Sequence, residues 1–371
     1  MPPVSREHAI FIDFAVQRSD NTYITMAERH ADIKSLITRF DKDRVGLSIV
    51  SLPDQIEHVF REFHSRKIRL PRRQWTSVVF CGMGGSALGA DLLRAVYEPW
   101  LSVPLHIVHG YHLPSYAGKD TLVIICSYSG TTEEMLSCLQ EARRKKLTAV
   151  VIASGGQLAR EARKHRVPSF IFDPTYNPSG QPRIGTGYTM ACLYLVLRQT
   201  VLRGGRIEDL FYAARHSAID VGQPLALARE TLGQSFIIIS AEHLTGNGHI
   251  LSNQLNETAK VFAPHFKLPE LNHHLLEGLG SLKKHAKAWL ALFLDSSLYD
   301  PQIQKRLRVT RSVFQKQGIR ALSIRVSGTR LEQALTMLMY SSWFSYYQGI
   351  LLGFDPASIP WVDYFKQHVK R

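Results

Sequence analysis

The sequence predicts an α/β fold of two subdomains, each a parallel β-sheet flanked by α-helices in an αβα sandwich. The chain has 371 residues, about twice the length of a typical domain. Hydrophobic residues make up 45% and charged residues 20% of it, which is enough apolar material for a buried core. Short apolar runs alternate with helical patterns. This alternation is typical of parallel strands that are covered on both faces.

The first series of elements follows Ser77. Its strands are predicted at Ser77–Cys81, Leu105–Val108, Leu122–Cys126, Ala149–Ala153 and Ser169–Phe172. Its helices are predicted at Ala87–Tyr97, Thr132–Lys145, Gln157–His165 and Gly187–Leu202. Glu133 and Glu134 fall in the first turn of a predicted helix, where the helix dipole favours acidic side chains.

The pattern restarts after Gly204 and Gly205. Its strands are predicted at Ser235–Ser240, Trp289–Leu294 and Ala321–Val326, and its helices at Gly248–Phe262, Pro301–Gln317, Arg330–Leu352 and Trp361–Val369. We therefore predict three regions: a partly helical N-terminal extension over residues 1–40, a first subdomain over 41–204 and a second subdomain over 205–371.

The charge balance is basic. Lys and Arg number 45 and Asp and Glu 31, so the formal net charge is +14. Such a balance suits nucleic acid, an anionic membrane surface or a phosphorylated small molecule. The dense basic runs at Arg66–Arg73 and Arg143–Lys146 are not followed by a recognisable nucleic-acid module. We interpret both runs as solvated surface charge and expect no nucleic-acid partner.

Three features bear on the compartment. The spacing of the four cysteines fits no zinc pattern, and Cys81 and Cys126 end apolar runs as buried free thiols do. The N-terminus lacks the basic segment and apolar core of a signal peptide. The uncharged run Ala334–Phe354 carries several hydroxyl and amide side chains, which favours a buried helix over a membrane span. We expect a reducing compartment, the cytoplasm, and no membrane association.

A glycine-rich turn follows the first predicted strand, at Gly82-Met83-Gly84-Gly85-Ser86-Ala87. It fits a dinucleotide fingerprint, but that fingerprint needs an acidic residue after the next strand, where the sequence has His109 and Gly110. It also fits a phosphate cradle, in which glycines allow close backbone approach and the helix start supplies amides. A tight turn without any ligand is a third interpretation.

A second motif favours the phosphate cradle. The predicted strand that ends at Cys126 leads into four hydroxyl residues around Gly130, namely Ser127, Ser129, Thr131 and Thr132. A cluster of this kind can simply cap a helix. Because it follows a parallel strand near the glycine turn, we expect both motifs to form one phosphate site at the carboxyl ends of the sheet.

With these motifs the sequence resembles the sugar isomerase (SIS) domain family, and within it the bifunctional phosphoglucose/phosphomannose isomerases of archaea and some bacteria. The resemblance covers approximately Asp41 to Arg371. Four segments carry it: Met83-Gly84-Gly85-Ser86, Ser127-Tyr128-Ser129-Gly130-Thr131-Thr132-Glu133-Glu134, Asn256-Glu257-Thr258-Ala259-Lys260 and Glu270-Leu271-Asn272-His273-His274.

The resemblance implies two SIS subdomains, a homodimer with shared active sites, and neither a cofactor nor a metal. It implies that the substrate phosphate binds at Gly84, Gly85, Ser86, Ser127, Ser129, Thr131 and Thr132. It further implies that Glu257 is the base for proton transfer and that His273, from the partner subunit, helps to open the sugar ring. Arg183 resembles the arginine that stabilises the enediolate, and Lys366 resembles a lysine that points into the site.

The residue types suit this chemistry. Aldose–ketose isomerisation needs a carboxylate base beside a carbonyl, positive charge where the enediolate oxygen develops, and an anchor for the phosphate. Histidine titrates in the range that ring opening requires. Taken singly, each candidate could be an ordinary solvated side chain or a structural loop residue.

The sequence also departs from the family pattern around the sugar. His274 replaces an amide, and the acidic residue after it has moved to Glu277. The segment Asp355-Pro356-Ala357-Ser358 lacks a threonine that is often found near Ala357. We expect an isomerase of glucose 6-phosphate and/or mannose 6-phosphate with fructose 6-phosphate. The alternatives are a phosphosugar sensor without catalysis, an isomerase of a different phosphosugar, and a nicotinamide-dependent oxidoreductase.

Overall fold

A computed structural model of the chain describes residues 11–12, 32–65 and 69–369. Most of the predicted extension, residues 1–10 and 13–31, lies outside the described residues, as do residues 66–68 of the first basic run. The described part begins with β1 (Phe11–Ile12), α1 (Ile33–Phe40), α2 (Val45–Val50) and α3 (Leu52–Ser65).

The chain divides into two compact units. We call Leu47–His216 the central unit, and Met1–Gly46 together with Ser217–Arg371 the terminal unit. The sequence predicts borders at 40/41 and 204/205, whereas the units change over at 46/47 and 216/217. Three contacts are consistent with these positions: Arg215 forms ion pairs with Asp54 and Glu57 inside the central unit, and Tyr346 donates to Asp41 inside the terminal unit.

The central unit is a five-stranded parallel sheet in the order β3-β2-β4-β5-β6. Its strands are β2 (Ser77–Cys81), β3 (Leu105–Val108), β4 (Thr121–Ser127), β5 (Thr148–Ala153) and β6 (Ser169–Ile171), and its remaining helices are α4 (Leu88–Tyr97), α5 (Glu133–Arg144), α6 (Gly156–Lys164), α7 (Thr186–Thr200) and α8 (Asp209–Arg215). Every residue of β2 and β4 is buried. The chain leaves β2 toward β3 and returns on the other side to β4, so a crevice opens at the carboxyl ends of β2 and β4.

The terminal unit holds the second sheet, in the order β1-β10-β9-β7-β8. Its elements are α9 (Gly222–Glu230), β7 (Ser235–Ser240), α10 (Thr245–Gln254), β8 (His265–Lys267), α11 (Leu275–Gly278), β9 (Trp289–Asp295), α12 (Pro301–Lys316), β10 (Arg320–Arg325), α13 (Arg330–Leu351) and α14 (Pro360–Val369). The predicted strands β7, β9 and β10 pair in parallel, and β8, which was not predicted, pairs in parallel with β7. The short β1 pairs antiparallel with β10, and this edge strand was not predicted.

The predicted uncharged helix and the four cysteines are buried in the structure. Helix α13 is buried along nearly its whole length, as predicted for the uncharged run. Among the described residues, none of the helices has both the length and the apolar content that crossing a membrane requires. All four cysteines are buried free thiols, and burial raises the pKa of Cys126 well above its usual range.

Candidate active site

The glycine turn after β2 connects directly to the loop after β4. Residues Gly84–Ser86 form one turn of 3₁₀ helix ahead of α4. The buried hydroxyl of Ser86 accepts a hydrogen bond of 2.9 Å from the backbone N–H of Tyr128. The two predicted phosphate loops are therefore joined, and the Ser86 hydroxyl proton has no acceptor among the described residues.

Arg183 lies against the same glycine turn. A Cβ atom added to Gly85 would lie 2.5 Å from the backbone nitrogen of Arg183, so only glycine permits this approach. The Arg183 side chain is 1% exposed, and its Nη1 donates to Oε1 of Gln181 at 2.7 Å. The backbone of Arg183 thus lies next to the turn, although Arg183 is about 100 residues away from it in sequence, and its side chain is buried.

The hydroxyl loop after β4 is held by its own hydrogen bonds. The Ser127 hydroxyl accepts from the Gly130 N–H at 3.0 Å and lies 2.8 Å from the Thr132 hydroxyl. The hydroxyls of Ser129 and Thr131 lie 3.0 Å apart. Ser127 is buried, whereas Ser129 and Thr131 are exposed. The loop is therefore anchored at Ser127 and presents the hydroxyls of Ser129 and Thr131 to an incoming ligand.

Gly130 fixes the backbone of this loop. Its φ angle is +68°, and a Cβ atom there would lie 1.9 Å from the carbonyl oxygen of Gly155. The Gly130 carbonyl accepts from the Leu158 N–H at 2.8 Å, and the Ser154 hydroxyl donates to the Tyr128 carbonyl at 2.6 Å. The loop after β5 therefore supports the hydroxyl loop from the side.

The crevice at β2 and β4 has the donors that an anion needs. Helix α5 begins directly after Thr132, and its first backbone N–H groups carry the positive end of the helix dipole. The structure brings the predicted residues of this crevice together: Gly84, Gly85, Ser86, Ser127, Ser129, Thr131, Thr132 and Arg183. Neutral hydroxyls and backbone amides can surround a phosphate dianion without a metal.

Glu257 lies on a turn of unusual geometry. The sequence predicts one helix over Gly248–Phe262, but α10 ends at Gln254 and a π-helical turn follows at Leu255–Ala259. A Cβ atom on Gly349 of α13 would lie 2.6 Å from the Thr258 carbonyl oxygen, so close packing sets the shape of this turn. The Glu257 side chain is half-buried. Single π-helical turns occur frequently at functional sites.

Lys260 ends this turn and was not predicted as a site residue. Its backbone is left-handed, with φ of 57°. Its ammonium donates to the Asp355 carbonyl at 2.5 Å and to the Thr258 carbonyl at 3.3 Å. Lys260 therefore ties the turn of Glu257 to the segment that precedes α14.

His273 lies at the end of a 3₁₀ turn, Glu270–His273. The neighbouring Asn272 anchors this turn, because its amide donates to the Thr310 hydroxyl of α12 at 2.7 Å. The His273 ring is exposed. His274, which departs from the family pattern, pairs with Glu270 at 2.8 Å, and Glu277 is exposed on α11.

Lys366 lies on α14, a helix without any buried residue. Its side chain is exposed. Among the described hydrogen bonds and ion pairs, none joins Lys366 or His273 to another predicted site residue. Glu257, His273 and Lys366 thus occupy three separate segments of the terminal unit.

The described residues include neither a metal-ligand cluster nor a carboxylate after β3 that could bind a dinucleotide. They hold no group of three or more His, Cys, Asp or Glu side chains that could bind a metal ion. After β3, where a dinucleotide site would need a carboxylate, His109 Nδ1 donates to the Gly82 carbonyl at 2.8 Å.

Both α/β regions of the chain match models of SIS domains. Residues 73–170 match the SIS domain family, and residues 221–369 match the family described as the bacterial phospho-glucose isomerase C-terminal SIS domain. A bifunctional phosphoglucose/phosphomannose isomerase of Aquifex aeolicus is 24% identical over 85% of this chain and 97% of its own length. The protein of the same name from Caldicellulosiruptor bescii is 27% identical over 86% of this chain and 97% of its own.

Solved structures show the same fold. A hypothetical protein from Thermus thermophilus superposes with a TM-score of 0.69 at 15% identity, covering 91% of this chain and 92% of that chain. The two family matches fall on the two α/β regions. The match with each of the two curated relatives covers nearly the whole length of that relative. The chain belongs to the SIS-domain family, in the group that carries the bacterial phospho-glucose isomerase C-terminal SIS domain.

Proposed function

We propose that the chain is a phosphosugar aldose–ketose isomerase that interconverts glucose 6-phosphate, mannose 6-phosphate or both with fructose 6-phosphate. The observation that carries this proposal is the crevice at β2 and β4. There the glycine turn is hydrogen-bonded to the hydroxyl loop and packs against the backbone of Arg183. The names of the relatives from Aquifex aeolicus and Caldicellulosiruptor bescii support the same reaction.

The phosphate loops anchor the substrate by its phosphate, and that binding energy holds the open sugar chain in place. The phosphate oxygens accept hydrogen bonds from the hydroxyl groups of Ser86, Ser129, Thr131 and Thr132. The shape of the two loops depends on Gly84, Gly85 and Ser127. The phosphate then carries the specificity for phosphorylated over free sugars.

Glu257 removes a proton from carbon 1 of the ketose, which gives a cis-enediolate, and returns a proton to carbon 2. The hydroxyl proton on the carbon 1 oxygen passes to the carbon 2 oxygen in the same conversion, which completes the aldose. Arg183 offsets the negative charge that develops on the enediolate oxygen, and Lys366 adds positive charge. His273, contributed by the partner subunit of a homodimer, donates and accepts the proton in ring opening. Glucose and mannose differ only at carbon 2, which is planar in the enediolate, so one base can form both epimers.

We place this activity in the cytoplasm, where the four free cysteines stay reduced. The pairing of His274 with Glu270 and the exposed Glu277 set the sugar-facing segment apart from the family pattern. These changes bear on which aldose is preferred rather than on the reaction.

The test is a coupled assay on fructose 6-phosphate without added metal, with glucose 6-phosphate and mannose 6-phosphate measured separately. We expect turnover to at least one aldose and a loss of about 10²- to 10⁴-fold in Glu257→Gln, with inorganic phosphate still bound. Glu257→Asp is the control that keeps a carboxylate. Absence of turnover in the unchanged chain, with phosphosugar still bound, would favour a sensor instead.

A further inference from the structure

We propose that Tyr128 and Asn177 are positioning residues that fix the guanidinium of Arg183 relative to the phosphate loop. This inference rests on the proposed function, in which Arg183 stabilises the enediolate. Neither residue was predicted as part of the site. Both lie in the central unit, together with the loops that they connect.

Tyr128 begins the connection inside the phosphate loop. It lies between Ser127 and Ser129, but its own side chain is 4% exposed and turns away from solvent. Its ring packs edge-on against Phe172 at 5.4 Å. Its hydroxyl oxygen accepts a hydrogen bond of 2.6 Å from Nδ2 of Asn177. The side chain of Tyr128 thus connects the phosphate loop to the buried interior through one ring contact and one hydrogen bond.

Asn177 passes the connection to the next segment. Its side chain is 3% exposed, and its second Nδ2 proton goes to the Gln181 carbonyl at 3.0 Å. Its Oδ1 accepts from the Ser179 hydroxyl at 2.8 Å. Both amide protons and the amide oxygen are therefore used, which fixes the orientation of the amide group.

Gln181 completes the connection. Its Oε1 accepts from Nη1 of Arg183 at 2.7 Å. The path from Tyr128 to Arg183 therefore consists of three hydrogen bonds between buried or half-buried groups. In such an environment hydrogen bonds are strong, and a missing partner is costly.

This path explains how a long, flexible arginine side chain reaches one geometry. Stabilising a developing charge requires donors that are already in place, and a misplacement of about 1 Å can cost about 100-fold in rate. Any displacement of the phosphate loop moves Tyr128, and the hydrogen bonds carry the displacement to Arg183. Phosphate binding is thereby linked to the group that acts on the sugar carbons.

The first test is a double-mutant cycle of Asn177→Ala with Arg183→Met, read as kcat for fructose 6-phosphate. Asn177→Ala should lower kcat by about 10- to 100-fold, with KM and the affinity for inorganic phosphate changed by less than about threefold. In the Arg183→Met background the same substitution should change kcat by less than about threefold, because its effect passes through Arg183. An equal loss in both backgrounds would overturn the proposal.

A pair of tyrosine variants provides a matched control. Tyr188 is also buried, stacks on Phe172 at 4.7 Å, and accepts a hydrogen bond of 2.8 Å from the Tyr176 N–H. Among the described residues, its hydroxyl makes no hydrogen bond to Asn177, Gln181 or Arg183. Tyr128→Phe should lower kcat by about 10-fold and Tyr188→Phe by less than about twofold. Equal losses in both variants would mean that the hydroxyls matter only for folding, and would overturn the proposal.

A binding measurement separates this inference from the proposed function. A five-carbon sugar hydroxamate 5-phosphate imitates the planar enediolate. Asn177→Ala should weaken its binding about 10-fold without weakening that of inorganic phosphate. If the unchanged chain turns over no phosphosugar, the proposed function fails. If it turns over substrate and Asn177→Ala keeps full kcat and hydroxamate affinity, only the positioning role fails.

Discussion

The turn after β2 in the central unit and the turn after β7 in the terminal unit have the same backbone design. Each is one 3₁₀ turn that leads into a helix, Gly84–Ser86 before α4 and Glu242–Leu244 before α10. The first residue of each turn has a positive φ, 48° for Gly84 and 41° for Glu242. The loops after β4 and β9 also correspond, because α5 begins after Thr132 and α12 after Asp300.

The side chains of the two crevices are opposite in character. Where the central unit has Gly84 and Ser127, the terminal unit has Glu242 and Asp295. Glu242 Oε1 accepts from the Asp300 N–H at 3.0 Å, and the Asp295 carboxylate accepts from Arg325 Nε at 2.9 Å. In the second crevice the Glu242 carboxylate thus binds the N-cap of α12 and the Asp295 carboxylate pairs with Arg325, where the first crevice offers glycine and hydroxyl groups.

This difference shows that the backbone design alone does not make an anion site. A helix start and a tight turn supply partial positive charge in both units. In the terminal unit internal carboxylates already use that charge, and they would repel a phosphate. We therefore expect phosphate to bind only in the central unit, and the following variants test that expectation.

The largest effect is expected from Gly130→Ala. The added Cβ would overlap the Gly155 carbonyl oxygen at 1.9 Å, and the residue would need a φ of +68°. We expect a loss of about 3 kcal/mol or more in the free energy of unfolding, with phosphate binding lost as well. Urea unfolding checks it. The control is Leu298→Ala in the corresponding loop of the terminal unit, where the side chain is 42% exposed and the loss should stay below about 1 kcal/mol.

Gly84→Glu converts the first crevice to the charge of the second. A Cβ at Gly84 has no atom within 4 Å, so the fold should lose only about 1–2 kcal/mol for the left-handed backbone. The new carboxylate should weaken inorganic phosphate binding by about 10- to 100-fold, as calorimetry would show. The reverse change, Glu242→Gly, should leave kcat and KM within about twofold. A loss of activity in Glu242→Gly would mean that the second crevice also takes part in the reaction.

His243 gives the second crevice a pH dependence of its own. It is buried beside Tyr299, its Nε2 lies 3.0 Å from Gln333 Oε1, and burial lowers its pKa to about 4, with Arg330 adding to the shift. The folded state thus resists protonation that the unfolded state accepts below about 6.5, so stability falls as the pH drops from about 6.5 toward 4.

Because of His243, we expect the free energy of unfolding to fall by about 1–2 kcal/mol when the pH is lowered from 7.5 to 5. Urea titrations at the two pH values check it against His243→Gln, which should lack this part of the pH dependence. An identical pH dependence in both proteins would show that His243 titrates normally.

The smallest effect is expected from Ser129→Ala. The Ser129 side chain is exposed, so its removal should leave the fold intact while one hydrogen bond to the phosphate is lost. We expect KM to rise about 5- to 20-fold, with kcat changed less. The matched variant in the terminal unit is Ser297→Ala, also exposed, which should leave both constants unchanged. Equal effects of the two variants would contradict the proposed division of roles.

Local sequence patterns predicted much of this fold. Strands β2, β3 and β7 begin and end at the predicted residues, because turn residues on both sides of a continuous apolar run mark the ends of the strand. The glycine turn and hydroxyl loop were also visible, since each follows a predicted strand directly. Helix α3 was missed, although Leu52, Ile56, Val59 and Phe60 recur at helical spacing and are all buried.

Other features depend on contacts that the sequence does not contain. The hydrogen bond from Asn177 to Tyr128 joins residues 49 positions apart, and nothing near either residue indicates it. The π-helical turn of Glu257 arises from packing against Gly349 of another helix. Glu242 adopts a conformation that usually signals glycine, so its likeness to Gly84 cannot be read from residue type.

Proton transfer at the sugar tests the central claim most directly. Fructose 6-phosphate is incubated with the protein in deuterium oxide, and NMR follows carbon 2 of the aldose formed. A base-catalysed enediolate route predicts deuterium at that carbon in the unchanged protein and, in Glu257→Gln, deuterium incorporation and aldose formation that are about 10²- to 10⁴-fold slower, with inorganic phosphate bound equally by both. Aldose formation at an undiminished rate in Glu257→Gln, or an unchanged protein that binds fructose 6-phosphate and gives neither aldose nor exchange, would contradict the account.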